Sequence, residues 1–178
     1  PDAPKAEWKK TLLWAAAAAV GSRLALAALA YLALAIANAF GPADVKDTLA
    51  RFGFNRPFPP LESMFSRWDA PHYLDIAKYG YTSDLTVNGG EQHWFIVFYP
   101  LYPALAALLR PLFGSVFNAA TAVSWASLTG ASALMIRLAG QEGDGQQGRR
   151  AVKYLMVFPA AVFLGAPFTE SMFLFLSL

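Results

Sequence analysis

The sequence predicts an all-α fold, that of a polytopic helical membrane protein. Its 178 residues are 56% hydrophobic and only 15% charged, whereas soluble domains carry about 25% charged residues. The charges are also unevenly spread, because Thr11–Phe40 contains Arg23 alone and neither Leu112–Ile136 nor Tyr154–Thr169 contains any. Apolar runs of this length are typical of membrane spans. The composition, which lacks cysteine, excludes a soluble enzyme, a disordered chain and a disulfide-built secreted domain.

The first predicted element, residues 1–40, comprises the N-terminus and the first transmembrane helix. This helix covers much of Thr11–Phe40 and ends at the stop signal Gly41-Pro42. Thirty residues form a helix of about 45 Å, which is longer than the hydrocarbon core. We therefore expect the helix to tilt, or Arg23 to extend toward a lipid headgroup. The run is also too long for the apolar region of a signal peptide.

Residues 41–116 are predicted to form one long extracytoplasmic loop that is rich in aromatic residues and folds back onto the membrane face. It should contain short juxtamembrane helices, one between Pro57 and Arg67 and one over Ala70–Tyr79 that ends at Gly80. The segment Tyr99–Gly114 is interrupted by prolines and too short to cross a membrane. We expect it to lie flat at the outer surface.

Residues 117–178 are predicted to hold the second span at Phe117–Leu138, the third at Ala151–Phe168 and the start of a fourth near Met172. The loop Gln141–Arg150 lies between the second and third spans. Four basic residues border this loop, namely Arg137, Arg149, Arg150 and Lys153. The positive-inside rule places the loop and the N-terminus in the cytoplasm. Because the last apolar run is only eight residues long, we expect the chain to be a fragment of a longer protein.

The most informative cluster of polar residues lies in the extracytoplasmic loop, over Arg67–Tyr81, with the sequence RWDAPHYLDIAKYGY. Asp69 directly precedes a predicted helix that carries Pro71 in its first turn. Its carboxylate either caps that helix by accepting backbone N–H bonds or faces a cleft as a catalytic group. Trp68 and Tyr73 are either interfacial anchors or platforms for a ligand.

A second cluster follows the third predicted span, over Ala166–Ser171, with the sequence APFTES. Glu170 lies between two apolar runs, where a carboxylate that faces lipid would be costly. It is either an interfacial carboxylate in a tight turn or a partner of Asp69, since the predicted topology puts both residues on one face of the membrane. Two carboxylates in a wet cleft can orient and deprotonate a hydroxyl.

A third cluster contains His93 and runs from Gln92 into the aromatic and proline stretch Phe98–Pro103. It either shapes a slot for a lipid chain or a sugar, or forms an aromatic belt at the membrane surface. The histidines match no tight metal-ligand spacing, so we expect neither a metal nor another cofactor. The sequence has no phosphate-binding loop or nucleophile elbow, and no basic stripe for nucleic acid.

These stretches resemble the landmarks of the GPI mannosyltransferase 2 (PIG-V type) family. Arg67–Tyr81 is similar to the signature of that family's first loop, and Phe98–Pro103 is similar to the aromatic and proline stretch that follows it. Phe158–Leu164 together with Phe168–Ser171 resembles the third landmark. The resemblance implies a GT-C-like glycosyltransferase with many membrane helices, of which this chain would be the amino-terminal part.

The resemblance implies transfer of a hexose, with mannose expected, from a polyprenyl-phosphate donor to a hydroxyl acceptor outside the cytoplasm, by inversion and without a metal. Asp69 would be the general base and Glu170 a carboxylate that orients the acceptor or the base. Arg67 or Lys78 would stabilise the charge of the donor phosphate, and His72 would assist by hydrogen bonding. The partners expected are the lipid bilayer, the lipid-linked donor and other membrane subunits.

Two rival interpretations stay open at the level of the sequence. A truncated, non-catalytic relative would serve as a structural subunit of a larger membrane complex. Part of a transporter is the weaker alternative, because the predicted spans contain few charges and the loop is long. A reading frame that continues with several more apolar runs would favour the enzyme, and a stop codon near Leu178 would favour the subunit.

Overall fold

The computed structural model describes residues 3–56, 58–81, 95–142 and 145–178. Over these ranges the chain is helical and contains no strand, which confirms the predicted all-α fold. Two short 3₁₀ segments lie at Phe95–Val97 and Pro159–Leu164. The α-helices are α1 (Ala3–Phe40), α2 (Ala43–Arg51), α3 (Leu61–Phe65), α4 (Ala70–Tyr79), α5 (Leu101–Phe113), α6 (Val116–Glu142), α7 (Gly145–Val157) and α8 (Glu170–Ser177).

Two helices are long and apolar enough to cross a membrane, over Glu7–Phe40 in α1 and Val116–Gly140 in α6. The first two predicted spans both lie inside these segments. Only 11% of an apolar 18-residue stretch of α1 is buried inside the molecule, whereas 56% of the corresponding stretch of α6 is buried. Large apolar side chains therefore cover the outside of α1, among them Leu13, Leu24, Leu29, Leu32, Ile36 and Phe40.

α1 and α6 pack side by side in opposite directions. Ala15 contacts the cluster around Ala133 and Ile136, and Ala19, one turn later, packs with Leu128. The N-terminal turns of α1 therefore lie beside the C-terminal turns of α6. This pair gives the molecule two ends. The start of α1, the end of α6 and the start of α7 lie at one end, and the short helices α2 to α5 lie at the other.

The third predicted span, Ala151–Phe168, is wrong as a single helix. α7 ends at Val157, Phe158 has an extended backbone with φ −62° and ψ 138°, and Pro159 opens the 3₁₀ segment. Proline lacks the N–H that would continue the helical hydrogen bonds and clashes with the preceding turn. Because Tyr154–Thr169 contains no charged residue, the sequence predicted one continuous span across this break.

The predicted loop Gln141–Arg150 is also wrong. α6 continues to Glu142 and α7 begins at Gly145, so that residues 143 and 144 alone separate the two helices. A glycine explains how they come so close: a Cβ atom at Gly148 would lie 2.5 Å from the Cα atom of Ile136. Small residues at such a contact allow two helix backbones to approach.

Arg23 does not extend to a headgroup, which corrects the expectation for this residue. Its side chain is only 4% exposed. The guanidinium donates to the carbonyl oxygen of Ala161 and lies 3.5 Å from that of Met156. Because the break at Pro159 frees carbonyl groups that a continuous helix would use, Arg23 stabilises the broken helix against α1.

α5 is too short to cross a membrane, as predicted, because 13 residues extend about 20 Å. Its expected placement flat on the outer membrane surface stays a prediction. Gly114, with φ 75°, reverses the chain, and α5 folds back along the first turns of α6. The hydroxyl of Tyr102 donates to the carbonyl oxygen of Ala120 at 2.9 Å, while the amide of Asn118 donates to that of Phe113.

The short helices were predicted in part. α4 has the predicted bounds and ends at Gly80 with φ 77°, whereas the helix expected between Pro57 and Arg67 is confined to Leu61–Phe65. The sequence did not predict α2. One core joins α4, α5, α6 and α8, and it consists of Tyr73, Ala77, Tyr102, Ala106, Val116, Ala120, Val123 and Met172.

Candidate functional site

The Asp69 and Glu170 motifs meet where the first turns of α4 and α8 come together. The hydroxyl of Tyr73 lies 3.4 Å from that of Thr169, within hydrogen-bond distance. Below this contact, Ala70 packs in a small apolar cluster with Ala166 and Phe168. The fold thus brings together two polar segments that lie far apart in the sequence, and we call this region the carboxylate site.

An unusual backbone turn presents Asp69. Trp68, which precedes it, has φ 52°, a left-handed conformation that is an outlier for a bulky residue and is costly unless the surrounding structure enforces it. The Trp68 ring is 70% exposed and leans against Phe163, with ring centroids 5.4 Å apart. The turn leaves Asp69 exposed beside the loop that leads to Glu170.

The helix-cap role of the Asp69 side chain is wrong. Asp69 has a helical backbone, and its carboxylate makes no capping hydrogen bond. Its backbone carbonyl oxygen, rather than its side chain, accepts the N–H groups of His72 and Tyr73 at 3.1 and 3.3 Å. The carboxylate is therefore not used by the helix that follows it.

Glu170 begins α8, and its side chain is open to solvent on one side. Desolvation on the other side raises the pKa of its carboxyl, a hydrogen bond from its own backbone N–H lowers it, and the negative charge of Asp69 raises it. The effect of Asp69 is the smallest of the three, and it agrees with the placement of both carboxylates beside the contact of Tyr73 with Thr169. Burial likewise raises the pKa of Tyr73, against the effect of its hydrogen bond with Thr169, so the Tyr73 hydroxyl keeps its proton at neutral pH.

Hydrogen bonds from α6 hold the turn that leads to Glu170. The hydroxyl of Ser124 donates to the carbonyl oxygen of Ala166 at 2.9 Å, and the indole N–H of Trp125 donates to that of Gly165 at 3.0 Å. The hydroxyl oxygen of Tyr102 lies 2.8 Å from that of Ser124. The sequence analysis did not identify Ser124 and Trp125. Two adjacent side chains with hydrogen-bond donors inside an apolar span could have indicated them.

His72 lies on the same face of α4 as Asp69, three residues further along the helix. Its ring packs against Phe98 at a centroid distance of 5.0 Å and against Phe95 at 6.5 Å. Two of the residues predicted to bind substrate, Tyr73 and His72, thus adjoin the carboxylate site, and Trp68 forms part of its edge.

Arg67 and Lys78 are directed elsewhere. The Arg67 guanidinium lies 4.8 Å from the ring centroid of Phe54 and donates to the carbonyl oxygen of Phe52 at 3.3 Å, so it packs on the turn after α2. Lys78 lines a cavity of about 520 Å³ together with Asp75 and Arg110. That cavity borders a different face of α4 from the one that carries Asp69.

His93 lies in the segment 82–94, outside the described residues, so its predicted role stays a prediction. Within the ranges that the structure describes, no three His, Cys, Asp or Glu side chains gather in an arrangement that could hold a metal ion. The chemistry available at the carboxylate site is that of two carboxylates, a neutral phenol and an imidazole.

Searches against family models, curated proteins and solved structures give no match to this chain.

Proposed function

We propose that this protein is a membrane glycosyltransferase that transfers a hexose, with mannose expected from the family resemblance, from a polyprenyl-phosphate donor to a hydroxyl acceptor. One observation carries the proposal. Asp69 and Glu170 are both exposed beside the contact of Tyr73 with Thr169, which joins the first turns of α4 and α8, and the charge of Asp69 contributes to the raised pKa of Glu170. Paired carboxylates of this kind serve proton transfer.

In the proposed reaction, Asp69 accepts the proton of the acceptor hydroxyl as that oxygen attacks the anomeric carbon of the donor sugar. The new bond joins the acceptor oxygen to this carbon. The bond that breaks joins the carbon to the phosphate oxygen, and the polyprenyl phosphate leaves with the bonding electrons. Glu170 orients the acceptor by accepting a second hydrogen bond, and Tyr73 and Thr169 fix the distance between α4 and α8.

The surface of α1 supports the proposed membrane placement. Only 11% of an apolar 18-residue stretch of α1 is buried inside the molecule. The remaining apolar side chains face outward, as expected for a helix that is surrounded by lipid. The prenyl tail of the donor would stay in the same bilayer, so the reacting sugar would meet the acceptor at its surface. We place the carboxylate site on the extracytoplasmic side, because the basic residues at the other end favour the cytoplasm.

Cysteine labelling tests this orientation cleanly, since the chain has no cysteine. An impermeant thiol reagent should label Arg51→Cys in intact cells, and it should label Gln147→Cys only after the membrane is opened. Labelling of position 147 in intact cells would contradict the proposed orientation.

The proposed function is tested by sugar transfer in liposomes with defined polyprenyl-phosphate sugars and the full-length protein from its native reading frame. Asp69→Asn keeps the size of the side chain but cannot accept the proton, so we expect transfer to fall about 10²–10⁴-fold. Asp47→Asn removes an equally exposed carboxylate from α2 and should leave transfer unchanged.

Normal transfer by Asp69→Asn at normal expression would contradict the catalytic role. The rival interpretation, a non-catalytic structural subunit, predicts no transfer by the parent protein with any donor. In that case the apolar outer surface of α1 would instead contact a protein partner.

A further inference from the structure

A basic cavity lies at the end of the molecule opposite the carboxylate site. It has a volume of about 550 Å³ and lies between the first turns of α1 and the helices α6 and α7. Three of its lining residues are basic, Lys10, Arg137 and Arg149, and one is acidic, Glu7. None of the residues given a role in sugar transfer lies there.

Two tryptophans support the guanidinium groups beside this cavity. The Cζ atom of Arg137 lies 5.3 Å from the ring centroid of Trp8, and that of Arg149 lies 5.5 Å from the ring centroid of Trp14. A guanidinium that packs on an aromatic face still has N–H donors along its edge, in the geometry that suits a phosphate. Within the part of the chain that the structure describes, neither guanidinium is paired with a carboxylate.

The cavity also lies beside the ends of the apolar segments of α1 and α6. Glu7 begins the apolar segment of α1 and Gly140 ends that of α6, and both residues line the cavity. If these helices cross a bilayer, the cavity opens at the level of the lipid headgroups. Tryptophan rings are enriched at this level of membrane proteins.

We propose that this cavity binds the phosphate headgroup of an anionic phospholipid. Basic pockets between membrane helices on the cytoplasmic side are suited to such headgroups, and the volume matches one small ligand rather than a macromolecule. Lys10, Arg137 and Arg149, which line the cavity, would bind the phosphate, while the Trp8 and Trp14 rings support the two guanidinium groups from behind. The proposal depends on the membrane placement given above and not on sugar transfer.

The test measures lipid binding to the full-length, delipidated protein by native mass spectrometry, with phosphatidylglycerol and phosphatidylcholine titrated separately. The parent protein should bind phosphatidylglycerol more tightly than phosphatidylcholine. Each basic residue at a membrane surface contributes roughly five-fold in binding, so Arg137→Gln combined with Arg149→Gln should weaken phosphatidylglycerol binding roughly thirty-fold. Phosphatidylcholine binding should not change.

A matched control removes two positive charges from the other end of the molecule. Arg51→Gln combined with Arg56→Gln should bind phosphatidylglycerol like the parent, because both residues are exposed and distant from the cavity. Lys10→Gln gives a second measurement if the double arginine variant does not fold, and it should weaken binding roughly five-fold.

Three results would overturn the proposal. These are equal affinity of the parent for the two lipids, an equal loss in the control pair, and displacement of phosphatidylglycerol by millimolar inorganic phosphate, which would indicate a site for a soluble anion. None of them depends on donor or transfer, so failure here and failure of the proposed transferase function are distinguishable.

Discussion

The two ends of the α1–α6 pair are held together by different interactions. At the carboxylate site, polar side chains donate to backbone carbonyl groups: Ser124 to Ala166, Trp125 to Gly165, and Arg23, deeper in the molecule, to Ala161. At the basic end, helices approach closely at glycine and guanidinium groups pack on tryptophan rings.

The two proposed sites have different structural requirements. The proposed catalytic pair of carboxylates would need a fixed geometry, and directional hydrogen bonds hold the turn before Glu170. The proposed headgroup site would need accessible positive charge, and close packing at Gly148 joins α6 to α7 without using the N–H donors of Arg137 and Arg149. Substitutions that weaken each end separately test this contrast.

The largest effect on stability is expected from Gly148→Ala at the basic end. The added methyl group would meet the backbone of Ile136, which cannot move without separating α6 from α7. We expect the free energy of unfolding in mixed micelles to fall by about 1–3 kcal/mol.

Gly140→Ala is the matched control, because a Cβ atom there meets nothing within 4 Å and alanine favours the helix by about 0.5–1 kcal/mol. Equal stability of the two variants would contradict the close-packing account of this end.

A smaller effect is expected from Ser124→Ala at the carboxylate site. The change removes donation to the carbonyl groups of Ala166 and Phe168 and the contact with Tyr102. We expect a loss of about 1 kcal/mol in unfolding free energy, with a larger loss of sugar transfer because the turn before Glu170 loosens.

Ser177→Ala, which removes an exposed hydroxyl, should change both measurements little. A Ser124→Ala variant with full transfer activity would show that these hydrogen bonds do not position the site.

The smallest effect concerns pH and belongs to Glu170. Its pKa is raised in the folded protein, so the folded state binds this proton more readily than the unfolded state. The linked stability therefore falls as pH rises, beginning near 4.5, the ordinary value of the group, and ending above its raised folded value. Thermal unfolding of Glu170→Gln across this range should lack that fall, and Asp69→Asn should reduce it. A fall of unchanged size in Glu170→Gln would assign it to another group.

The elements that the sequence predicts correctly are those with a local signal. α1 ends at the Gly41-Pro42 stop, α4 starts near Pro71 and ends at Gly80, and α6 occupies an uninterrupted apolar run. Each signal acts within a few residues. The break at Pro159 also had a local signal, but the apolar run around it favoured a span.

The remaining features depend on tertiary contacts. Arg23 is buried because carbonyl groups freed more than a hundred residues later accept its N–H groups, and nothing near Arg23 in the sequence indicates this. Asp69 and Glu170 lie at the same end of the molecule, which agrees with their predicted placement, while the membrane topology stays a prediction. The sequence analysis could not predict that Arg67 packs on Phe54 or that Lys78 lines another cavity, because side-chain direction depends on the turn at Trp68 and on the packing of α4.

The central claim, that Asp69 and Glu170 act as one catalytic pair, is tested most directly by a double-mutant cycle on sugar transfer. Asp69→Asn, Glu170→Gln and the double variant are compared with the parent protein using one polyprenyl-phosphate sugar. Residues that act as a unit give strongly non-additive losses, so we expect the double variant to transfer sugar only slightly more slowly than Asp69→Asn. Losses that multiply, or a single variant that transfers within a few-fold of the parent, would contradict the claim.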